Sequence, residues 1–204
     1  MIAIVDYGSG NVAAIANIYQ RLRIAHCVSA DPGELRSAER YILPGVGSFD
    51  PTMQRLIESG LSDLLTEQVV VKQKKVLGIC VGMQVFAESS EEGALPGLGW
   101  IPGRVRKLDE TLLANKPKLP HMGWNSIQIK PEVALFQGVD PSLGFYFLHS
   151  YFFDASDPSD VSATVFYGRQ IPCALARSNV FGMQFHPEKS HANGVAVLSN
   201  FSRM

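Results

Sequence analysis

Hydrophobic and polar positions follow two regimes along the chain. In the first, short apolar runs alternate with stretches whose apolar residues fall three and four apart. Ile2–Val5 leads into the polar segment Asp6-Tyr-Gly-Ser-Gly-Asn11, and Val12, Ile15, Ala16, Tyr19 and Leu22 then mark one face of a helix. After a short run from His26 to Ser29, Asp31-Pro32-Gly33-Glu34 has the chemistry of a helix start, a capping carboxylate followed by proline. Tyr41-Ile42-Leu43 reads as a strand broken by Pro44-Gly45-Val46-Gly47. Asp50-Pro51 predicts the cap of another helix, with Met53, Leu56 and Ile57 on its apolar face. Gly60 stops that helix before Leu61, Leu64 and Leu65 begin the next face. Val76–Ile79 is again a strand, and the residues after Gly82 again read as helix. This alternation predicts an α/β fold with a mostly parallel central sheet flanked by helices on both faces.

From Trp100 onward the pattern changes. Runs rich in β-branched and aromatic residues dominate: Ser126–Ile129, Phe145–Phe153, Ala163–Tyr167, Cys173–Ala176 and Phe181–Phe185. They predict added strands, several antiparallel, before a carboxy-terminal helix through Val195, Leu198 and Phe201. Glu91–Gly99, rich in Gly and Pro, reads as a loop. With no repeat and no low-complexity tract, the expectation is a single domain over residues 1–204.

Composition narrows the function classes. The 204 residues are 46% hydrophobic, enough for a sizeable core. Eighteen Lys and Arg stand against 19 Asp and Glu, which leaves no basic excess for a nucleic-acid binder working through backbone electrostatics. Three cysteines do not suggest a disulfide framework and fit a reducing, cytoplasmic setting. The amino end has no basic region ahead of its apolar run, so a secretory signal is not expected, nor is a membrane span.

The strongest local signal is Gly78-Ile79-Cys80-Val81-Gly82, a glycine-flanked cysteine between strand and helix. A sharp strand-to-helix turn strains the central residue and leaves no room for neighbouring Cβ atoms. The nucleophile then sits at a helix amino end, where unpaired N–H groups favour a thiolate and can hold an oxyanion. A lone cysteine is more often buried core, and Cys27 and Cys173 read that way. A thiolate nucleophile needs a proton shuttle. His186-Pro187-Glu188, directly after a predicted strand, supplies one, with Glu188 placed to orient the imidazole. Both strands would end at the carboxyl edge of the sheet, where such folds bind ligands.

Gly78-Ile-Cys-Val-Gly-Met-Gln84, Pro44-Gly-Val-Gly47 and Gln184-Phe-His-Pro-Glu-Lys-Ser190 together resemble the class I (triad) glutamine amidotransferases, a flavodoxin-like family. Asp6–Asn11, Pro120-His-Met-Gly-Trp-Asn125 and Tyr146-Phe-Leu-His-Ser-Tyr151 resemble the branch that serves histidine biosynthesis. The matches run from residue 6 to residue 190, essentially the whole chain. His191 departs from the pattern, which has Gln after Lys-Ser.

The resemblance implies glutamine hydrolysis to glutamate and ammonia through a Cys80 thioester, with His186 and Glu188 completing a triad. Val46, Gly47 and Val81 would form the oxyanion hole after a peptide flip between Gly45 and Val46. Gly45, Gln84, Glu92, Ser150 and Tyr151 would hold the substrate. The implied partner is a (β/α)8-barrel cyclase that uses the ammonia to make imidazole glycerol phosphate and an aminoimidazole carboxamide ribotide. Asn11, His121, Met122, Trp124, Tyr146 and Lys189 are the candidate docking residues, since aromatic and Met side chains enrich interface cores. No cofactor, metal, nucleic acid or membrane enters this reading. The Cys elbow and His-Pro-Glu fit an ammonia donor for anthranilate or pyridoxal phosphate synthesis equally well; Pro120–Asn125 selects the branch. A cysteine peptidase gives Gln84 no required role, and a non-catalytic binding subunit leaves the intact Cys, His and Glu set unexplained.

Overall fold

A computed structural model describes residues 1–113, 118–131 and 133–204. The first half builds β1 (Ile2–Val5), α1 (Val12–Arg21), β2 (His26–Ser29), α2 (Pro32–Ser37), β3 (Arg40–Gly45), α3 (Phe49–Glu58), α4 (Leu61–Thr66), β4 (Lys75–Cys80) and the single turn α5 (Val81–Gln84). The second half adds β5 (Ser89–Ser90), β6 (Gly103–Lys107), β7 (His121–Asn125), β8 (Ile127–Ile129), β9 (Phe145–His149), β10 (Tyr151–Ala155), β11 (Val161–Tyr167), β12 (Arg169–Arg177), β13 (Val180–Met183) and α6 (His191–Arg203).

The central sheet has eight strands in the order β2-β1-β3-β4-β13-β12-β11-β8. Strands β2, β1, β3, β4 and β13 are parallel, and β12, β11 and β8 continue antiparallel. The expected mostly parallel sheet with added antiparallel strands is therefore present. Side-chain alternation explains why helices cover both faces. Along β1, Ile2 and Ile4 join a core with Ile15, Tyr19, Leu198 and Phe201 from α1 and α6. Ala3 and Val5 join the opposite core with Leu35, Met53, Leu56 and Leu64 from α2, α3 and α4. A strand buried on both sides has no polar face, which is why β1 reads as an unbroken apolar run. Two small sheets sit beside it: β10-β6-β5 and the hairpin-like pair β7-β9.

Three local expectations are corrected. Asp50 does not cap α3: the N-cap is Ser48, and the Asp50 carboxylate instead accepts the N–H groups of Ala94 and Leu95 at 2.8 and 3.1 Å. The helix after Gly82 lasts one turn. The carbonyls of Val85, Phe86 and Ala87 are taken by the N–H groups of Leu98, Ile101 and Gly99, so the chain turns away. Phe145–Phe153 is two strands rather than one, because the chain leaves the β7-β9 pair at Ser150 and joins β6. Asp31 does cap α2, accepting the Glu34 N–H at 2.9 Å, and Gly60 separates α3 from α4 with φ +70°.

The elbow at Cys80 is held by close backbone approach. Cys80 has φ 56° and ψ −118°, a conformation that costs a non-glycine residue about 1–3 kcal/mol. Its neighbours leave no space to relax: a Cβ on Gly82 would lie 2.0 Å from the Leu43 carbonyl oxygen, and one on Gly78 2.6 Å from the Gly82 oxygen. Gly82→Ala is therefore expected to destabilise the chain by at least about 2 kcal/mol, the scale of an overpacked core, in urea denaturation. A midpoint equal to the native one would contradict this packing.

Candidate functional site

Cys80 opens into a pocket of about 310 Å³ at the carboxyl ends of β3, β4 and β13. Its walls are Val46, Gly47, Cys80, Gln84, Glu92, Pro120, Leu148, His149, Ser150, Tyr151, His186 and Lys189. Nine of the residues singled out from sequence thus share one cavity. Gly45 and Val81 are buried directly beneath it, in van der Waals range of each other, and Glu188 stands behind His186.

His186 is 3% exposed and its Nδ1 lies 3.0 Å from the Glu188 carboxylate, itself 3% exposed. Burial alone would lower the imidazole pKa. The hydrogen bonds and charges of Cys80 and Glu188 on its two sides outweigh burial and push it up to about 10. With Glu188 accepting at Nδ1, the ring directs Nε2 at the sulfur. A one-turn helix contributes little dipole, so the positive charge facing Cys80 is the imidazolium. The sulfur also meets the Gln184 amide, whose Nε2 donates at 3.7 Å, and the Leu148 carbonyl at 4.0 Å. Burial pushes the Cys173 thiol well above its ordinary range and raises Cys27 as well, and neither lines the pocket.

The Pro44–Gly47 segment, where β3 ends, is fastened to the amino-terminal loop. The Tyr7 hydroxyl donates to the Pro44 carbonyl at 2.5 Å. Ser9 Oγ accepts the Val46 N–H at 3.1 Å and donates to the Val46 carbonyl at 2.9 Å. The Val46 N–H is therefore engaged by Ser9 and not turned toward the sulfur, whereas the Val81 N–H begins α5, among the donors a helix leaves unpaired. On the far wall the Glu92 carboxylate accepts the Phe49 N–H at 2.9 Å, the capping contact that sequence assigned to Asp50. Burial raises its pKa, the Phe49 N–H opposes that, and the Asp50 charge adds to it. Gln84 Nε2 donates to the Tyr151 carbonyl at 3.1 Å and to Gln184 Oε1 at 2.9 Å.

The candidate docking residues divide. Met122 and Trp124 are 60% and 49% exposed, the Lys189 ammonium lies 5.3 Å over the Tyr146 ring, and Trp124 packs edge-on to Tyr146. Asn11 is exposed and caps α1 through the Ala14 N–H. His121 does not belong with them. It is 3% exposed, stacked on Phe147 and Tyr167, because strand alternation turns it opposite to Met122. His191, the departure from the family pattern, stacks on Trp124 with ring centroids 5.1 Å apart. Sequence reasoning gave no role to Gln184, His149 or Ser9, although each lies inside a quoted motif.

A cysteine on a strained strand-to-helix turn with a buried His-Glu pair at the next strand end defines a class. The chain belongs to the class I glutamine amidotransferases, whose family model matches residues 3–203. Within that family it is 50% identical over 204 residues, the whole of both chains, to the imidazole glycerol phosphate synthase subunit HisH of Bdellovibrio bacteriovorus. It is 46% identical, again over the whole of both, to that of Leptospira borgpetersenii, and 45% identical to subunit HisH 2 of Pseudomonas aeruginosa over 98% of each chain. Among solved structures, one titled as a glutamine amidotransferase superposes with TM-score 0.72 at 16% identity, covering 100% of this chain and 99% of that one. PurLQS from Thermotoga maritima gives 0.67 at 18% identity, covering 99% and 97%. Identities this low speak for the fold alone.

The raised His186 pKa has a defined pH signature. Because the folded value exceeds the unfolded one, the stability it contributes is complete below about pH 6.5 and is lost as pH rises through about 10. NMR of the His186 ring should show one proton lost near pH 10, and Cys80→Ala should bring that midpoint down. A native midpoint near 6.5 would contradict the pairing.

Proposed function

We propose that the chain is the ammonia-producing subunit of an imidazole glycerol phosphate synthase, hydrolysing glutamine to glutamate for a cyclase partner in histidine biosynthesis. The observation that carries this reading is the convergence of Cys80, His186 and Glu188, from distant parts of the chain, at one pocket of about 310 Å³. The Cys80 sulfur attacks the side-chain carboxamide carbon, and the carbonyl electrons move to oxygen. The Val81 N–H and, after rotation of the Gly45–Val46 peptide, the Val46 N–H stabilise that oxyanion. His186 gives its proton to the amine as the C–N bond breaks, so ammonia leaves and a glutamyl thioester remains. The now neutral His186 takes a proton from water, the resulting hydroxide attacks the thioester, and the thiolate departs to regenerate the pair. Glu188 keeps the ring in the required tautomer and supports its charged form. Glu92 offers a carboxylate to the substrate ammonium, whose charge opposes the upward pull of burial; Gln84 and the backbone at Ser150 and Tyr151 frame the remaining α-substituent.

The Ser9 clasp on Val46 supports a resting state with an incomplete oxyanion hole. Forming the hole requires breaking the Val46 N–H···Ser9 contact, and partner and acceptor binding favour that second arrangement. Met122, Trp124, Tyr146 and Lys189 supply the aromatic and cationic docking face for the barrel, with Asn11 at the start of α1 beside the Ser9 loop. The acceptor, a large phosphorylated ribotide, binds to the cyclase. Among the described residues no helix is long and apolar enough to cross a membrane, and we place the complex in the cytoplasm with its pathway. The whole chain acts as one domain.

In the complex with its cyclase, Cys80→Ala should abolish glutamine-dependent synthesis and leave ammonia-dependent synthesis intact. Loss of both would overturn the role given to Cys80. Ser9→Ala should raise glutaminase turnover of the isolated subunit by about tenfold, the net scale of the two part-buried hydrogen bonds that hold the resting loop. Turnover unchanged, or equally fast in the native subunit with and without partner and acceptor, would count against the clasp.

A further inference from the structure

We propose that His121 and His149 are positioning residues for bound glutamine, forming a fixed hydrogen-bond relay from Asn125 on β7 to the Tyr151 carbonyl and Gln84 in the pocket wall. This rests on the glutamine-hydrolysing reading above. Each link is assigned by chemistry. The Tyr151 carbonyl, 2.8 Å from His149 Nδ1, can only accept, so His149 Nδ1 carries the proton and its Nε2 is a lone pair. His121 Nδ1 lies 3.0 Å from that Nε2 and must donate to it. His121 Nε2 is then an acceptor, and Asn125 Nδ2 donates to it at 3.2 Å while donating to the Phe166 carbonyl at 3.0 Å. Both rings are thereby committed to a single tautomer.

The relay ends where the pocket needs definition. The Tyr151 carbonyl receives the His149 N–H and the Gln84 amide together, and Gln84 continues through Gln184 to the Cys80 sulfur. Tyr151 follows the point where the chain leaves one small sheet for another, and the relay ties it across that break. Register explains the placement: His121 faces His149 across the β7-β9 pair, and the next positions, Met122 and Leu148, point to solvent. The strand with a docking outer face therefore has the support of the substrate wall on its inner face. Burial supports the neutral rings, holding His121 at about 4 and, with the His186 charge adding to it, His149 at about 3. The Tyr167 ring stacks on His121, and Cys80 and His186 lie beyond His149.

The test is His121→Phe in the complete complex, a change that keeps the stacked volume and removes both hydrogen bonds. The expected result is a KM for glutamine raised about tenfold, with kcat within about threefold and unchanged alkylation of Cys80 by iodoacetamide, which needs no glutamine wall. An unchanged KM, or kcat and alkylation falling together, would overturn the positioning role. If that variant does not fold, NMR of the native protein decides. Both rings should stay neutral with Nδ1 protonated between about pH 5.5 and 9, a range that spans ordinary imidazole titration. Titration of either ring in that range, or an Nε2-protonated tautomer, would overturn the relay. A native complex without glutaminase activity would instead defeat the functional reading.

Discussion

The backbone of Cys80 bears the constraint on which the pocket depends. A left-handed φ of 56° at a residue with a side chain is unfavourable, and here it is imposed by glycines that let α5 lie against β3 at contact distance. The turn raises the sulfur out of the sheet and leaves the Val81 N–H beside it. It also sets where β13 must deliver His186, since β4 and β13 are paired in register with Gly78 opposite Gly182 and Ile79 opposite Met183. Neighbouring parallel strands therefore bring Cys80 and His186 to one edge of the sheet.

Charge then settles what the geometry allows. The imidazolium of His186 is buried, and it is tolerable only because Glu188 and the Cys80 sulfur compensate it on both sides. Around this pair, neutral hydrogen bonds hold much of the wall, while the Glu92 carboxylate accepts the Phe49 N–H on the far side. Ser9 occupies Val46, Gln84 and Gln184 bridge to the sulfur, and the two buried histidines stay uncharged. The neutral contacts beside the sulfur fix position without adding a second titrating group there.

Much of this was legible in sequence because local patterns and final environment agreed. The alternation of Ile2–Val5 with the α1 periodicity placed both helix layers, and the two glycines around Cys80 announced the elbow. Where tertiary contacts decided, sequence was a poorer guide. Asp50 precedes a proline and has the signature of a cap, but loop amides reach it first, and Glu92 from 43 residues away caps the helix instead. His121 sits in one motif with Met122 and Trp124, and only strand alternation shows that it faces inward. Gln184 and Ser9 meet partners 100 and 37 residues away, and His149 meets the His121 ring 28 residues away, so no spacing rule reveals them.

In the proposed reaction Cys80, and neither other cysteine, is the activated nucleophile of the pocket. Exposing the protein to an electrophilic glutamine analogue at neutral pH, followed by peptide mass spectrometry, tests it most directly. One adduct on the peptide carrying Cys80, suppressed by excess glutamine and absent in His186→Ala, is the predicted result. Modification at Cys27 or Cys173 with Cys80 untouched would contradict it.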